Sequence, residues 1–197
     1  MDKPAFTNID IIEPIRKRWS PRAFSDKKID NNLLEKLFEA VRWAPSSMNE
    51  QPWNFISVRN SDKENFKEII DSLMDTNKVW AAKVPLLIIS IAKKFYSRNN
   101  SENKVAIYDL GQAVAYLSLQ ATAEGLFVHQ MGGFDKNKLK DSFSLPDGYE
   151  PVTVIAVGYP GNPDTLPDKL KEREFAERKR KPQKEFVFES EWEKDID

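Results

Sequence analysis

Apolar residues along the chain recur in helical and strand-like rhythms that divide it into elements. Leu33, Leu34, Leu37, Phe38 and Val41 return at three- and four-residue spacing, which predicts a helix capped by Asp30 or Asn32 and stopped by Pro45. The following PSSMNEQPW stretch reads as a loop, and residues 54–58 (NFISV) as a strand. Ser61 and Glu64 have capping-box spacing before a second helix with Phe66, Ile69, Ile70 and Leu73 on its apolar face. Residues 84–92 (VPLLIISIA) are almost wholly apolar, the pattern of a central strand buried on both faces. Residues 93–104 are polar and read as an irregular surface loop or mobile lid. A long helix from Val105 to Glu124 carries Ala106, Leu110, Ala113, Val114, Leu117 and Ala121 on one stripe, with Gly125 ending it. After the Gly132–Gly133 pair come a short helix from about Asp135, a turn at Pro146-Asp147-Gly148, and a buried strand at 151–159.

These elements make one α+β domain over residues 1–197, with helices around a sheet of three or four apolar strands. Pro14 interrupts a first helical stretch near the N-terminus. Residues 164–197 are highly charged and carry an apolar patch, Phe186, Val187 and Phe188. Two readings of that arm stand level: it reaches across to a partner subunit, or it folds back on its own domain.

Composition narrows the function. Basic residues number 30 and acidic ones 31, a net charge of −1, which disfavours a nucleic-acid binder relying on phosphate neutralisation. With no cysteine, disulfides, thiolate metal sites, iron–sulfur clusters and cysteine nucleophiles are excluded, and the expected setting is cytoplasmic. The N-terminus reads as no secretory signal, and the longest apolar run is far short of the ~20 residues that span a bilayer, so no membrane partner is expected. A single histidine, His129, leaves little room for imidazole catalysis or a His-based metal site, and its expected role is structural. If the chain is an enzyme, a bound cofactor carries the hard chemistry.

Among phosphate cradles, neither G-x-G-x-x-G nor G-x-x-x-x-G-K occurs. Ser101 and Lys104 have S-x-x-K spacing without companion motifs, and carry no argument. Two basic clusters remain: Arg16, Lys17, Arg18 and Arg22 near the start, and Arg178, Lys179, Arg180 and Lys181 near the end. The second is interleaved with Glu172, Glu174 and Glu177, and its bland reading is a solvated face. The sharper reading is an anion site, since Arg18-Trp19-Ser20-Pro21-Arg22 offers two guanidinium groups and a hydroxyl of the kind that grip a phosphate monoester.

RKRWSPRAF followed by WAPSSMNEQPWNF resembles the opening signature of the nitroreductase family of FMN-dependent oxidoreductases. YDLGQAVAYLSLQATAEGLFVHQMGGFD resembles that family's central helix and flavin loop, and ERKRKPQKEFVF its C-terminal basic segment, all in the family's order. The resemblance implies a mostly antiparallel sheet flanked by helices, with a C-terminal arm exchanged in a homodimer that holds FMN at the interface. It implies that Arg18, Ser20, Arg178 and Arg180 hold the FMN phosphate, and that Arg22 faces the pyrimidine edge of the flavin. Pro45, Ser46, Ser47 and Asn49 would approach from the second subunit. Gln130, Met131, Gly132 and Gly133 would line the ring, with the Gly132 N–H toward flavin N5, and Asn77 would meet the polar edge. Trp19 stands where the family has Arg or His and reads as packing, although it belongs to the cofactor-binding stretch. A lysine that some members carry shortly after the Asn77 position has no clear counterpart.

The activity so implied is reduction of nitroaromatics, quinones or similar small acceptors with NAD(P)H as donor, in a ping-pong cycle. No catalytic side chain and no metal are expected. Phe95 and Tyr96 are candidate acceptor-side lid residues. Other reductive tasks within the family (enal or aldehyde reduction, dehalogenation, flavin consumption) and a non-catalytic flavin sensor or store remain open at this point.

Overall fold

The computed structural model describes residues 2–194. In chain order the elements are α1 (Glu13–Lys17), α2 (Asn31–Arg42), β1 (Trp53–Arg59), α3 (Lys63–Ser72), α4 (Asp75–Ala81), β2 (Leu86–Lys93), α5 (Ala106–Ala123), β3 (Phe127–Met131), α6 (Lys136–Ser142), β4 (Tyr149–Gly158) and α7 (Asp168–Phe175).

Strand β2 explains its own sequence. It lies between β1 and β4 in a four-stranded sheet of order β1-β2-β4-β3, antiparallel throughout. Helices cover both faces of that sheet, so β2 residues 86–92 are all buried and alternation has no place. Its polar exception, Ser90, is satisfied across the ladder by Thr153, with the hydroxyls 2.7 Å apart. The register then passes from Ser90 opposite Thr153 to Ile91 opposite Pro151, which leaves Val152 as an extra residue. Pro151, which has no N–H to donate, is tolerated because it sits at this bulge.

One sheet face packs Leu86, Ile88, Ile155 and Val157 against Leu37 and Val41 of α2 and Leu110, Ala113, Leu117 and Ala121 of α5. The other packs Leu87, Ile89, Val154 and Ala156 against Phe66 and Ile69 of α3, Trp80 of α4 and Leu139 of α6. The alanines on α5 let that helix lie close to the sheet. Its opposite face leaves Ile107, Tyr108 and Tyr116 exposed.

Several expectations need correcting. Asp62, not Ser61, caps α3, its carboxylate accepting from Asn65 N at 3.2 Å. A turn in which Asp62 N donates to Arg59 O moves the cap one residue along. Segment 93–104 is no irregular loop. Bonds from Asn103 N to Lys94 O (2.7 Å) and from Tyr96 N to Ser101 O (2.9 Å) fold it into a small hairpin with a Phe95–Glu102 bridge. The fourth strand, β3, lies in the stretch read as a flavin loop. Helices α4 and α7 lie in stretches whose polar or charged residues masked a short inward face.

The arm beyond α7 does not bury its apolar patch on its own subunit. Phe186 is 58% and Trp192 82% exposed, and from Lys179 to Lys194 the described hydrogen bonds stay within the arm. Positions 195–197 of the arm lie outside the described residues.

Candidate cofactor site

Segment 18–22 leaves α1 and is pinned by three contacts. Trp19 is 6% exposed and meets the Phe127 ring edge-on, at 6.0 Å between centroids. The Pro21 carbonyl accepts from His129 Nδ1 at 2.7 Å, which places the histidine's proton on Nδ1. Burial holds the His129 pKa down to about 4, so the ring is neutral at pH 7. The same ring packs on Trp80, with centroids 4.5 Å apart. The third contact is Glu174 of α7, buried at 1% exposure, whose carboxylate accepts from Arg22 N (2.9 and 3.0 Å) and Ala23 N (3.0 Å).

So held, Arg18, Ser20 and Arg22 line a pocket of about 210 Å³ together with Arg178 and Arg180 from the far end of the chain. Lys3, Trp19, Arg173 and Glu177 complete the charged and aromatic lining. Arg178 is aimed by donating to the main-chain carbonyls of Lys3 and Arg16, the latter at 3.1 Å. Burial first, and then the neighbouring charge of Arg180, lowers the pKa of Arg18. Burial, then Arg18 and Arg180, does the same to Arg178. A partly buried basic cluster whose members repel one another, with Glu177 as the carboxylate on its lining among the described residues, has the chemistry to attract an anion.

Sequence reading named six of the lining residues, Arg18, Trp19, Ser20, Arg22, Arg178 and Arg180, and missed Lys3 and Arg173, as well as the buried Glu174 behind them. Only a helical phase could have flagged Glu174. It follows Leu170 by four residues, and Leu170 packs into the core under α7.

At the other end of β3, three residues beyond His129 and about 10 Å away at strand rise, stand Gly132 and Gly133. Met74 N donates to Gly133 O at 3.0 Å, and Leu73 bridges Phe134. These contacts bring Met74, the residue before α4, against Gly133, and half-buried Asn77 in the first turn of α4 donates its N–H to Met74 O at 2.8 Å. A Cβ on Gly133 would lie 2.6 Å from Met74 Sδ, whereas one on Gly132 would meet nothing within 4 Å. Nothing among the described residues therefore requires glycine at 132. Gln130 is exposed, with its amide 3.5 Å from Ser118 Oγ, while the Met131 side chain is core at 2% exposure.

Pro45, Ser46, Ser47 and Asn49 lie apart from this pocket within the chain. Met48, Asn49 and Gln51 hold positive φ angles of 54°, 54° and 52°. Such geometry costs on the order of 1–3 kcal/mol per residue and persists only where the surroundings enforce it. Buried Asp109 at the start of α5 does so by accepting from Ser47 N (3.0 Å), and Ser46 Oγ by accepting from Gln51 N (2.9 Å). Tyr96 adds a hydroxyl contact to Ser47 at 3.2 Å, and Glu50 accepts from Ser97 N at 2.8 Å. Phe95 packs beside Gly148, where a Cβ would lie 3.1 Å from its ring. Both aromatic residues of the hairpin are thus engaged with their own chain.

Among the described residues no helix is long and apolar enough to cross a membrane, and no cluster of three or more His, Cys, Asp or Glu could hold a metal.

The Nitroreductase family profile matches residues 15–87 and 78–159. A Methanothermobacter thermautotrophicus protein provisionally named NADH dehydrogenase/NAD(P)H nitroreductase is 28% identical over 167 residues, covering 81% of this chain and 82% of the relative. A crystal structure described as an oxidoreductase containing FMN superposes with a TM-score of 0.88 at 30% identity, covering 94% of both chains. A nitroreductase family protein from Clostridium novyi superposes at 0.68 with 26% identity, covering 95% of this chain and 98% of that one. The chain belongs to the nitroreductase family.

Proposed function

We propose that the protein is a homodimeric FMN-dependent oxidoreductase that takes its electrons from NAD(P)H. The observation that carries the reading is the basic pocket drawn from both ends of the chain, whose mutual repulsion a phosphate dianion would relieve. The unexplained Gly132 supports it, because a residue with no need of glycine inside its own chain fits close approach of a flat ligand to the backbone. The structure described as containing FMN supports the choice of flavin.

In this reading Arg18, Ser20, Arg178 and Arg180 bind the FMN phosphate and hold the cofactor in place. Arg22 faces the pyrimidine edge, where a fixed cation favours negative charge that develops on reduction. The backbone of Gln130–Gly133 runs along the ring, with the Gly132 N–H directed at N5, and Asn77 bonds its polar edge. Trp19 and Met131 contribute by packing, and His129 keeps segment 18–22 in register as a neutral ring that donates from Nδ1 to Pro21 O. When bound, the flavin would supply the redox chemistry between NAD(P)H and a nitroaromatic, quinone or similar small acceptor. No side-chain acid or base is assigned.

The second subunit completes the site. Exposed Ile107, Tyr108 and Tyr116 on α5 form an apolar face fit for a second copy, and the arm's uncovered Phe186 and Val187 fit exchange between subunits. Pro45, Ser46, Ser47 and Asn49 then reach the partner's flavin on a loop already strained into shape.

The test is an absorbance spectrum of the purified protein before and after anaerobic addition of NADPH, then NADH. Flavin bands that bleach rapidly are expected. A colourless protein that takes up no added FMN would refute the proposal, and a yellow one that fails to bleach would instead be a flavin store.

A further inference from the structure

We infer that Glu174 is the positioning residue for the phosphate grip, an inference that rests on the flavin reading above. Glu174 does not line the pocket. It stands behind it on α7, with a carboxylate that a bare burial would heavily penalise. Oε1 accepts from both Arg22 N (2.9 Å) and Ala23 N (3.0 Å), while Oε2 also lies 3.8 Å from Arg22 Nη1. These two peptides follow Pro21 directly, and His129 holds the Pro21 carbonyl from the other side. Segment 18–22 is therefore clamped between a neutral imidazole and a buried carboxylate. The clamp sets the path along which Arg18, Ser20 and Arg22 enter the pocket.

The main chain of the same residue reaches the other half of the pocket. Glu174 O accepts from Lys3 Nζ at 2.7 Å, and Lys3 O in turn accepts from Arg178 Nη1. One residue thus ties the N-terminal arginines to the C-terminal ones, which otherwise repel each other. Loss of its carboxylate would free two buried N–H groups and let segment 18–22 relax, spoiling the spacing of groups that must converge on one phosphate.

The phosphate is the part of FMN that riboflavin lacks, so the ratio of the two affinities isolates this role. The full-length apoprotein would be titrated with FMN and with riboflavin, following the quenching of flavin fluorescence, for the wild type, Glu174→Ala and Glu174→Gln. Circular dichroism would verify that each variant is folded. Wild type should prefer FMN. Glu174→Ala should lower FMN affinity about tenfold to hundredfold and riboflavin affinity, through Arg22 at the ring edge, by no more than about threefold. Glu174→Gln should keep the preference within about threefold, because its carbonyl oxygen can replace Oε1 as acceptor for both N–H groups. A folded Glu174→Ala with wild-type preference, or with both affinities lowered equally, would overturn the inference. If Glu174→Ala does not fold, Glu174→Gln decides: a retained preference supports the clamp, and a lost one in a folded protein overturns it. A wild type that binds neither flavin refutes the flavin reading itself, and the inference with it.

Discussion

Gly161 sits where two backbones come closest. Its N–H donates to Ala23 O at 2.8 Å, Ser25 N donates to Tyr159 O at 3.0 Å, and Phe24 bridges Pro160 between them. A Cβ at 161 would lie 2.5 Å from both the carbonyl carbon and oxygen of Phe24 and 2.8 Å from Ser25 N. Carbon needs roughly 3.5 Å, so Gly161→Ala must push the two segments apart by about 1 Å. The obstructing atoms are main chain and cannot rotate away. The shift strains or breaks two hydrogen bonds worth about 0.5–1.5 kcal/mol each, on top of the roughly 1–3 kcal/mol typical of overpacking. A loss near 3 kcal/mol should lower the melting temperature of a chain this long by about 6–12 °C. Thermal melts of the apoprotein, followed by circular dichroism, would measure it. FMN affinity should fall as well, because Ala23 also donates to Glu174 at the edge of the pocket. A variant that melts within about 1 °C of wild type would refute the close-approach argument.

Three further outcomes are expected. Gly132→Ala, which meets nothing within 4 Å inside the chain, should leave the apoprotein's melting temperature nearly unchanged yet weaken FMN uptake; unchanged uptake would argue against a cofactor at that backbone. His129 titrates at about 4 when folded against 6.5 ordinarily. The stability its neutral ring contributes is therefore complete above about pH 6.5 and is lost as pH falls toward 4, at up to ~3 kcal/mol. His129→Gln should accordingly flatten the drop in unfolding free energy between pH 7 and pH 4.5, and an identical drop in both proteins would count against the burial argument. Ile107→Asp, placed on the exposed α5 face, should shift the mass measured by light scattering toward a single chain, and an unshifted dimer would exclude that face as the interface.

How much of this was legible beforehand depended on whether burial repeats along the chain. α2, α5 and β2 were readable because burial on one stripe or two faces writes a pattern into adjacent residues, however distant the partners they pack on. β3 was not, since Val128 faces the α5 layer while His129 turns to Trp80, and the GlyGly pair that follows reads as loop. The hairpin at 94–103 escaped notice because its bonds are main-chain to main-chain and leave no trace in polar side chains.

The sequence by itself determined the residue chemistry of the basic pocket, the α+β pattern, the absence of cysteine, and the motifs that mark the family. Those features depend on which side chains are present and on local spacing. Only the tertiary structure decided that Arg18 and Arg178 share one pocket, that Glu174 among its charged neighbours is the buried one, and that Gly161 rather than Gly132 is crowded by the described residues. Convergence of distant segments, and the burial that follows from it, are properties of the folded backbone, and neither leaves a period in the chain that can be read residue by residue.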